Sequence, residues 1–192
     1  MSEGLRVTEP RVLMVDDEKK VADAYALRLK DVAAVTVAYG GNEALETLDP
    51  AKPPDVVLLD RHMPGLSGDE VLAQLRDRDL RTRIIMVTAV DPDLGVLDMP
   101  FDDYLSKPVE RADLHAAVDQ QCQVLAYELL GEYFQRAATR NVAATELAGG
   151  GSESRLDDIE TELSGLERRI RGLLPQAAEL LDGFTEIDRR GY

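Results

Sequence analysis

The 192-residue chain predicts an α/β fold, a doubly wound parallel sheet, followed by an α-helical hairpin or coiled coil. Three features predict it. Five short apolar runs alternate with segments of helical spacing between residues 11 and 123, the pattern of successive βα units. The runs read as continuously apolar rather than alternating, which suits strands covered by helices on both faces. After a glycine-rich break, apolar residues recur at heptad positions to near the end of the sequence.

The first run, RVLMV at 11–15, ends at Asp16-Asp17. Residues 18–30 follow at helical spacing, with Val21, Ala24, Tyr25 and Leu29 on one face. The second run, AVTVA at 34–38, is rich in β-branched residues, and a short helix opens at Asn42 and stops before Pro50. Pro53-Pro54 punctuate, and DVVLL at 55–59 leads to Asp60. Residues 67–76 read as a helix with Val71, Leu72 and Leu75 on its apolar face. The fourth run, RIIMV at 83–87, ends at Thr88. Segment 91–100 holds Pro92, Gly95 and Pro100, which discourage a helix there. FDDYL at 101–105 is the fifth run and leads to Ser106-Lys107-Pro108, after which a helix begins near Glu110.

In parallel α/β sheets, ligands sit beyond the carboxyl ends of the strands. The polar residues just past four of the five runs are Asp16-Asp17, Asp60, Thr88 and Lys107. Alone, each has a plain structural use as a helix cap, a turn former, a strand-end hydroxyl or a surface charge. Only the fold gathers them. Three carboxylates in one cleft raise one another's pKa unless a cation neutralises them. A hard divalent cation with oxygen ligands fits, and Mg²⁺ suits best because it keeps open positions for water and substrate oxygens. A carboxylate is also a competent nucleophile toward phosphorus. The Lys107 ammonium and Thr88 hydroxyl supply the charge and donors that a transferring phosphoryl group needs.

The runs VLMVDDE, VVLLDRHMPGLSGDEVL, IIMVTA and DDYLSKPV resemble, in this order, those of two-component response-regulator receiver domains over residues 9–123. The resemblance implies a flavodoxin-like (βα)5 sheet with strand order 2-1-3-4-5. It implies that Asp60 is the phosphoacceptor, served by a sensor histidine kinase. Asp17 would bind Mg²⁺ directly and Asp16 through water, with Asp60 and the backbone carbonyl of His62 as further ligands. The His62 imidazole is expected to face solvent. Thr88 and Lys107 would contact the phosphoryl oxygens, and Tyr104 would be the switch aromatic that turns inward when Thr88 moves. The Lys107-Pro108 bond would be cis. Such a protein promotes its own phosphotransfer and dephosphorylation without being an enzyme toward other substrates. In one departure, Thr88 and Lys107 lie closer in sequence than the family's pattern, at the expense of the fourth helix. That puts the dimer face common in the family in doubt.

Residues 110–147 read as one long helix, with Leu114, Val118, Cys122, Leu125 and Leu129 at spacings of three and four, followed by Tyr133, Phe134 and Ala137. Ala148 to Gly151 end it. In 156–187, Leu156, Leu163, Ile170, Ala177 and Phe184 fall at a, and Ile159, Leu166, Leu173, Leu180 and Ile187 at d. Pro175 is expected to kink or break this helix near Gly172. The stripe serves equally an antiparallel hairpin within the chain and a homodimer through the tail. Residues 124–192, with the stretch YELLGEYFQR at 127–136 and the charged a/d helix, resemble the HalX domain that follows receivers in haloarchaeal regulators.

Composition narrows the function. The formal net charge is -15, and lysine occurs only at Lys19, Lys20, Lys30, Lys52 and Lys107. Such a surface stays soluble where salt screens charge, which suggests a halophile. It also disfavours non-specific contact with phosphate backbones. From residue 109 onward sixteen acidic residues face nine arginines, without a basic stripe or helix-turn-helix signature. DNA binding by the tail is therefore the alternative, and the leading reading is a signalling switch whose helices change self-association or bind a downstream protein. An aspartate-nucleophile phosphatase needs a second Asp two residues after the first, where this chain has His62. Single Cys122 leaves no intrachain disulfide. No apolar run approaches the roughly 18–20 residues that span a bilayer, and no secretion signal is evident, so a cytoplasmic location is expected.

Overall fold

The computed structural model describes residues 9–78, 80–89, 99–147 and 153–189, which fall into two compact units divided after Leu125. In the first unit, β1 (Arg11–Val15), β2 (Ala34–Ala38), β3 (Val56–Leu59), β4 (Arg83–Thr88) and β5 (Asp103–Ser106) form one sheet, every pairing parallel, in the order β2-β1-β3-β4-β5. Between them run α1 (Lys19–Leu29), α2 (Gly41–Thr47) and α3 (Gly68–Asp77), and α4 (Arg111–Leu147) follows. The predicted sheet and strand order are those observed.

The continuous apolar runs belong to the inner strands. Val12 to Val15, Val56 to Leu59 and Ile84 to Val87 are all buried. The edge strands differ. In β2 burial alternates, and in β5 Asp103, Tyr104 and Leu105 are half-buried and Ser106 exposed. An edge strand has a neighbour on one side only, so its outward residues meet water. The fifth strand also starts two residues later than its apolar run suggested, because Asp102 is engaged in a polar network. Its Oδ2 accepts from Arg76 Nη2 and from the Ile84 amide, each at 2.6 Å, and its Oδ1 lies 3.1 Å from Arg83 Nη2. Arg76 donates further to the carbonyls of Pro100 and Thr82, and Arg83 to Gln121 of α4. A buried carboxylate, Asp55, accepts from the Arg11 amide at 2.8 Å and pairs with its guanidinium at 3.4 Å. Both anchors sit at the amino ends of the strands. The fourth-helix segment, 91–100, lies outside the described residues except at its end, where Met99 packs on the core.

α3 starts with a full capping box. The Ser67 hydroxyl accepts from the Glu70 amide, and the Glu70 carboxylate accepts from the Ser67 amide at 2.9 Å. These bonds hold the Glu70 carboxyl below the usual carboxylate range.

The second unit contains the rest of α4, with α5 (Glu153–Leu173) and α6 (Ala177–Arg189). Arg136 of α4 pairs with Glu162 of α5 at 3.1 Å. These residues stand 26 positions apart, about 39 Å along a continuous helix, so they meet only if α5 folds back on α4, and the unit contains an intrachain hairpin. The heptad stripe holds through Leu163, Ile170 and Leu173, all buried. It then fails: the helix stops at Leu173 and resumes at Ala177, with Leu174 buried in the gap. Past this break Leu180 is 55% exposed, and Leu181 is buried in its place. The break at Pro175 thus interrupts the stripe: Ala177 is still buried at its a position, but the next d position, Leu180, faces out. Arg171 of α5 reaches Asp182 of α6 at 2.6 Å, which tightens the corner. The side chains of Phe184 and Ile187 lie outside the described residues. Among the described residues, no helix is long and apolar enough to cross a membrane.

Replacing Asp102 by Ala removes the carboxylate partner of two guanidinium groups and the acceptor of the Ile84 amide. Denaturant unfolding is expected to show a loss of about 3 kcal/mol, without change in the phosphoryl chemistry proposed below.

Candidate functional site

The carboxyl ends of β1, β3, β4 and β5 carry Asp16, Asp60, Thr88 and Lys107 to one place. Each leaves its strand at the same edge because the strands are parallel and in register, Val15 opposite Leu59 and Thr88 opposite Ser106. Backbone bonds fix the exits: Asp60 N–H donates to Val15 O at 2.9 Å, and Lys107 N–H to Thr88 O at 2.8 Å.

Asp16 is fully buried and uses both oxygens. Oδ1 accepts from the Glu18 amide at 2.9 Å in the turn before α1, whose N-cap is Glu18 without a side-chain cap bond, and Oδ2 accepts from Lys107 Nζ at 2.7 Å. Lys107 Nζ also lies 3.1 Å from Asp60 Oδ1. Carboxylate oxygens of Asp16, Asp17 and Asp60 all lie within 4.8 Å of one another. Against these three carboxylates, Lys107 brings one positive charge. Burial pushes the Asp60 carboxyl above the usual range; the Lys107 hydrogen bond and charge pull it down, and Asp16 and Asp17 push it up. For Lys107 burial works toward a lower pKa, but the hydrogen bonds to Asp16 and Asp60 outweigh it and hold the ammonium above its ordinary value. An all-oxygen set with surplus negative charge has the chemistry of a hard divalent cation site and is compatible with Mg²⁺.

Thr88 is fully buried. His62 is exposed, as expected, yet its Nδ1 lies 3.5 Å from Thr88 Oγ1, so the ring edges the site rather than leaving it. Tyr104 is half-buried on β5, packs against the core, and has its ring 6.1 Å from that of Phe101. The Lys107-Pro108 peptide is cis.

The response regulator receiver domain family matches residues 12–119. The chain belongs to that family. Receiver domains are signalling phosphoacceptors rather than conventional enzymes. A "putative transcriptional regulator" from Haloferax volcanii is 43% identical over 194 residues, covering 96% of this chain and 33% of that protein. This chain thus spans about a third of that relative's length. The transcriptional regulatory protein CutR of Streptomyces coelicolor is 40% identical over 191 residues, covering 93% of this chain and 88% of its own. Among solved structures, the signal receiver domain of a putative Luxo repressor protein from Vibrio parahaemolyticus superposes with a TM-score of 0.60 at 27% identity, over 65% of this chain and 98% of that one. A beryllofluoride-activated DrrB receiver domain superposes with a TM-score of 0.54 at 26% identity, over 59% and 97%.

Two glycines of the receiver shape the site in a way the sequence reading overlooked. A Cβ on Gly68 would stand 2.2 Å from the Asp60 carbonyl oxygen and 2.8 Å from Arg61 Cα. A Cβ on Gly41 would stand 2.5 Å from the Leu66 carbonyl oxygen. The loop between β3 and α3 is thus pressed between the start of α2 and the end of β3. The run PGLSGDE signals a turn and a helix start, but the closeness of the backbone is a tertiary fact.

Gly68→Ala is expected to shift the Asp60 backbone, cost about 2 kcal/mol in denaturant unfolding, and weaken Mg²⁺ binding measured by calorimetry. The raised Asp60 pKa has a second consequence. A carboxyl that binds its proton more tightly in the fold stabilises the fold below its unfolded pKa, and this contribution is lost as pH rises through the folded pKa. The gain in Tm from Mg²⁺ should therefore be largest above the elevated Asp60 range and fade as pH falls through it. Scanning calorimetry at several pH values checks this, and Asp60→Asn should flatten the dependence.

Proposed function

We propose that the protein is a phosphorylation-switched response regulator in which Asp60 accepts a phosphoryl group from a sensor histidine kinase. The observation that carries this reading is the Lys107 ammonium held at 2.7 Å from Asp16 and 3.1 Å from Asp60, beside a third carboxylate and the buried Thr88 hydroxyl. Asp16, Asp17 and Asp60, with the His62 backbone carbonyl, would hold Mg²⁺. Bound there, Mg²⁺ supplies positive charge to the phosphoryl oxygens. A carboxylate oxygen of Asp60 attacks phosphorus, and the bond to the donor breaks with its electron pair leaving on the donor, which gives an aspartyl phosphate. Lys107 and Thr88 donate to the phosphoryl oxygens, where negative charge is spread. Thr88 must turn toward the new group, away from His62, and Tyr104 follows on the neighbouring strand. Water attack on the same phosphorus reverses the modification, so the domain promotes its own phosphorylation and dephosphorylation.

The receiver would comprise residues 9–123, and residues 124–192 would form a HalX-type output domain. Support for that tail comes from the helical hairpin and from a Haloferax relative aligned over 96% of the chain. The same relative and the net charge of -15 support a halophilic protein, one that unfolds below about 1 M KCl. The output would be altered self-association through the tail or binding of a downstream protein. A second reading, a DNA-binding regulator, draws support from relatives described as transcriptional regulators. Against direct phosphate contact stands α6, which carries Glu179, Asp182, Glu186 and Asp188.

Incubation with phosphoramidate and Mg²⁺ should add one phosphoryl group, mapped to Asp60 by mass spectrometry and absent from Asp60→Asn. Labelling of the Asp60→Asn variant at the wild-type rate would overturn the assignment. A gel shift in molar KCl separates the outputs: sequence-specific retardation supports DNA binding, and its absence beside a phosphorylation-dependent mass change in light scattering supports self-association.

A further inference from the structure

The loop that follows Lys107 is held by α1. Val109 is 3% exposed, lies two residues beyond Lys107, and belongs to neither β5 nor α4. Both of its backbone polar groups are taken by side chains of one helix. Its N–H donates to Tyr25 Oη at 3.2 Å, and its carbonyl accepts from Arg28 Nη1. Tyr25 and Arg28 stand three residues apart, on one face of α1, and the Arg28 guanidinium lies 5.3 Å from the centre of the Tyr25 ring. The Arg28 carbonyl accepts from His115 Nε2 at 2.6 Å, and Asp31 pairs with Arg111 at 2.6 Å. The last of these pairs is exposed on both sides and contributes little. The bonds to Val109 are of another kind, since they satisfy a buried peptide that has no partner in regular structure.

We infer that Tyr25 and Arg28 are positioning residues for Lys107. The ammonium sits at the end of a flexible four-carbon stem, and its place between Asp16 and Asp60 depends on where its backbone is anchored. On one side the anchor is the Lys107 amide on Thr88 O. On the other side it is the Val109 peptide, clamped by Tyr25 and Arg28. Without the clamp the loop keeps one anchor, and the ammonium spends less time within reach of a phosphoryl oxygen. The Tyr25 ring is 5% exposed and fills the core whether or not it carries its hydroxyl, so packing alone does not account for a tyrosine at this position. The inference rests on the receiver reading of Asp60 and adds to it two residues that do not touch the acceptor.

The test is a double-mutant cycle on the full chain in high KCl with Mg²⁺, phosphoramidate being the donor and mass spectrometry the readout. Tyr25→Phe removes only the hydroxyl and keeps the ring. It should slow phosphorylation about fivefold, the scale of one hydrogen bond. Arg28→Gln should act in the same direction. Mg²⁺ affinity measured by calorimetry without donor should stay at the wild-type value, because Lys107 is not a metal ligand. In a Lys107→Ala background Tyr25→Phe should have no further effect, since the clamp acts through the missing ammonium. An equal loss of rate in both backgrounds, or a parallel loss of Mg²⁺ affinity, overturns the clamp and leaves a general packing role. Wild-type rates in Tyr25→Phe overturn it outright, and that variant decides the matter even if Arg28→Gln fails to fold. Failure of the wild type itself to be labelled at Asp60 is a different result: it removes the receiver reading and this inference with it.

Discussion

Lys107 reaches across 91 residues of sequence to place one ammonium between the carboxylates of Asp16 and Asp60. This contact orders the rest of the receiver's architecture around it. A sheet of parallel strands is needed to send both acids and the lysine out at one edge. The ammonium then offsets part of the charge that three neighbouring carboxylates accumulate, and the surplus negative charge is compatible with a divalent cation.

The two ends of the sheet are built for opposite purposes. At the amino ends, carboxylates are matched by arginines. Asp55 meets Arg11, and Asp102 meets Arg76 and Arg83, with the Ile84 amide completing its shell. These groups leave little unbalanced charge and fix where the strands begin. At the carboxyl ends acids outnumber the single lysine, and burial raises the Asp60 carboxyl. Glycines let the backbone of the β3–α3 loop close against Asp60, where any side chain at position 68 would collide with its carbonyl. A well-paired base thus supports a charged rim, at whose edge the His62 ring lies 3.5 Å from the Thr88 hydroxyl.

Much of this was legible in the sequence because the three inner-strand runs each lead into a polar residue of the candidate site. Val12 to Val15 lead to Asp16, Val56 to Leu59 lead to Asp60, and Ile84 to Val87 lead to Thr88. Continuous burial of these inner strands follows from their composition alone. What was not legible depends on tertiary distance. Nothing near Gly68 says how close the Asp60 carbonyl comes, and Tyr25 reads as one more apolar helix residue until Val109 is found at its hydroxyl. The heptad pattern departs past Pro175 at Leu180: Ala177 stays buried at its a position, but after the three residues outside the helices Leu181 rather than Leu180 turns inward. The edge strands and the late start of β5 show the same limit, since neighbours and polar partners there come from distant segments.

Asp60 is expected to accept a phosphoryl group beside a divalent cation held in the acidic cluster. Fluorine NMR of beryllofluoride, a phosphoryl mimic, addresses it most directly. The account predicts resonances of protein-bound beryllofluoride that need Mg²⁺ to appear, weaken in Lys107→Ala and vanish in Asp60→Asn. Bound resonances that form without Mg²⁺, or that persist in Asp60→Asn, would contradict it.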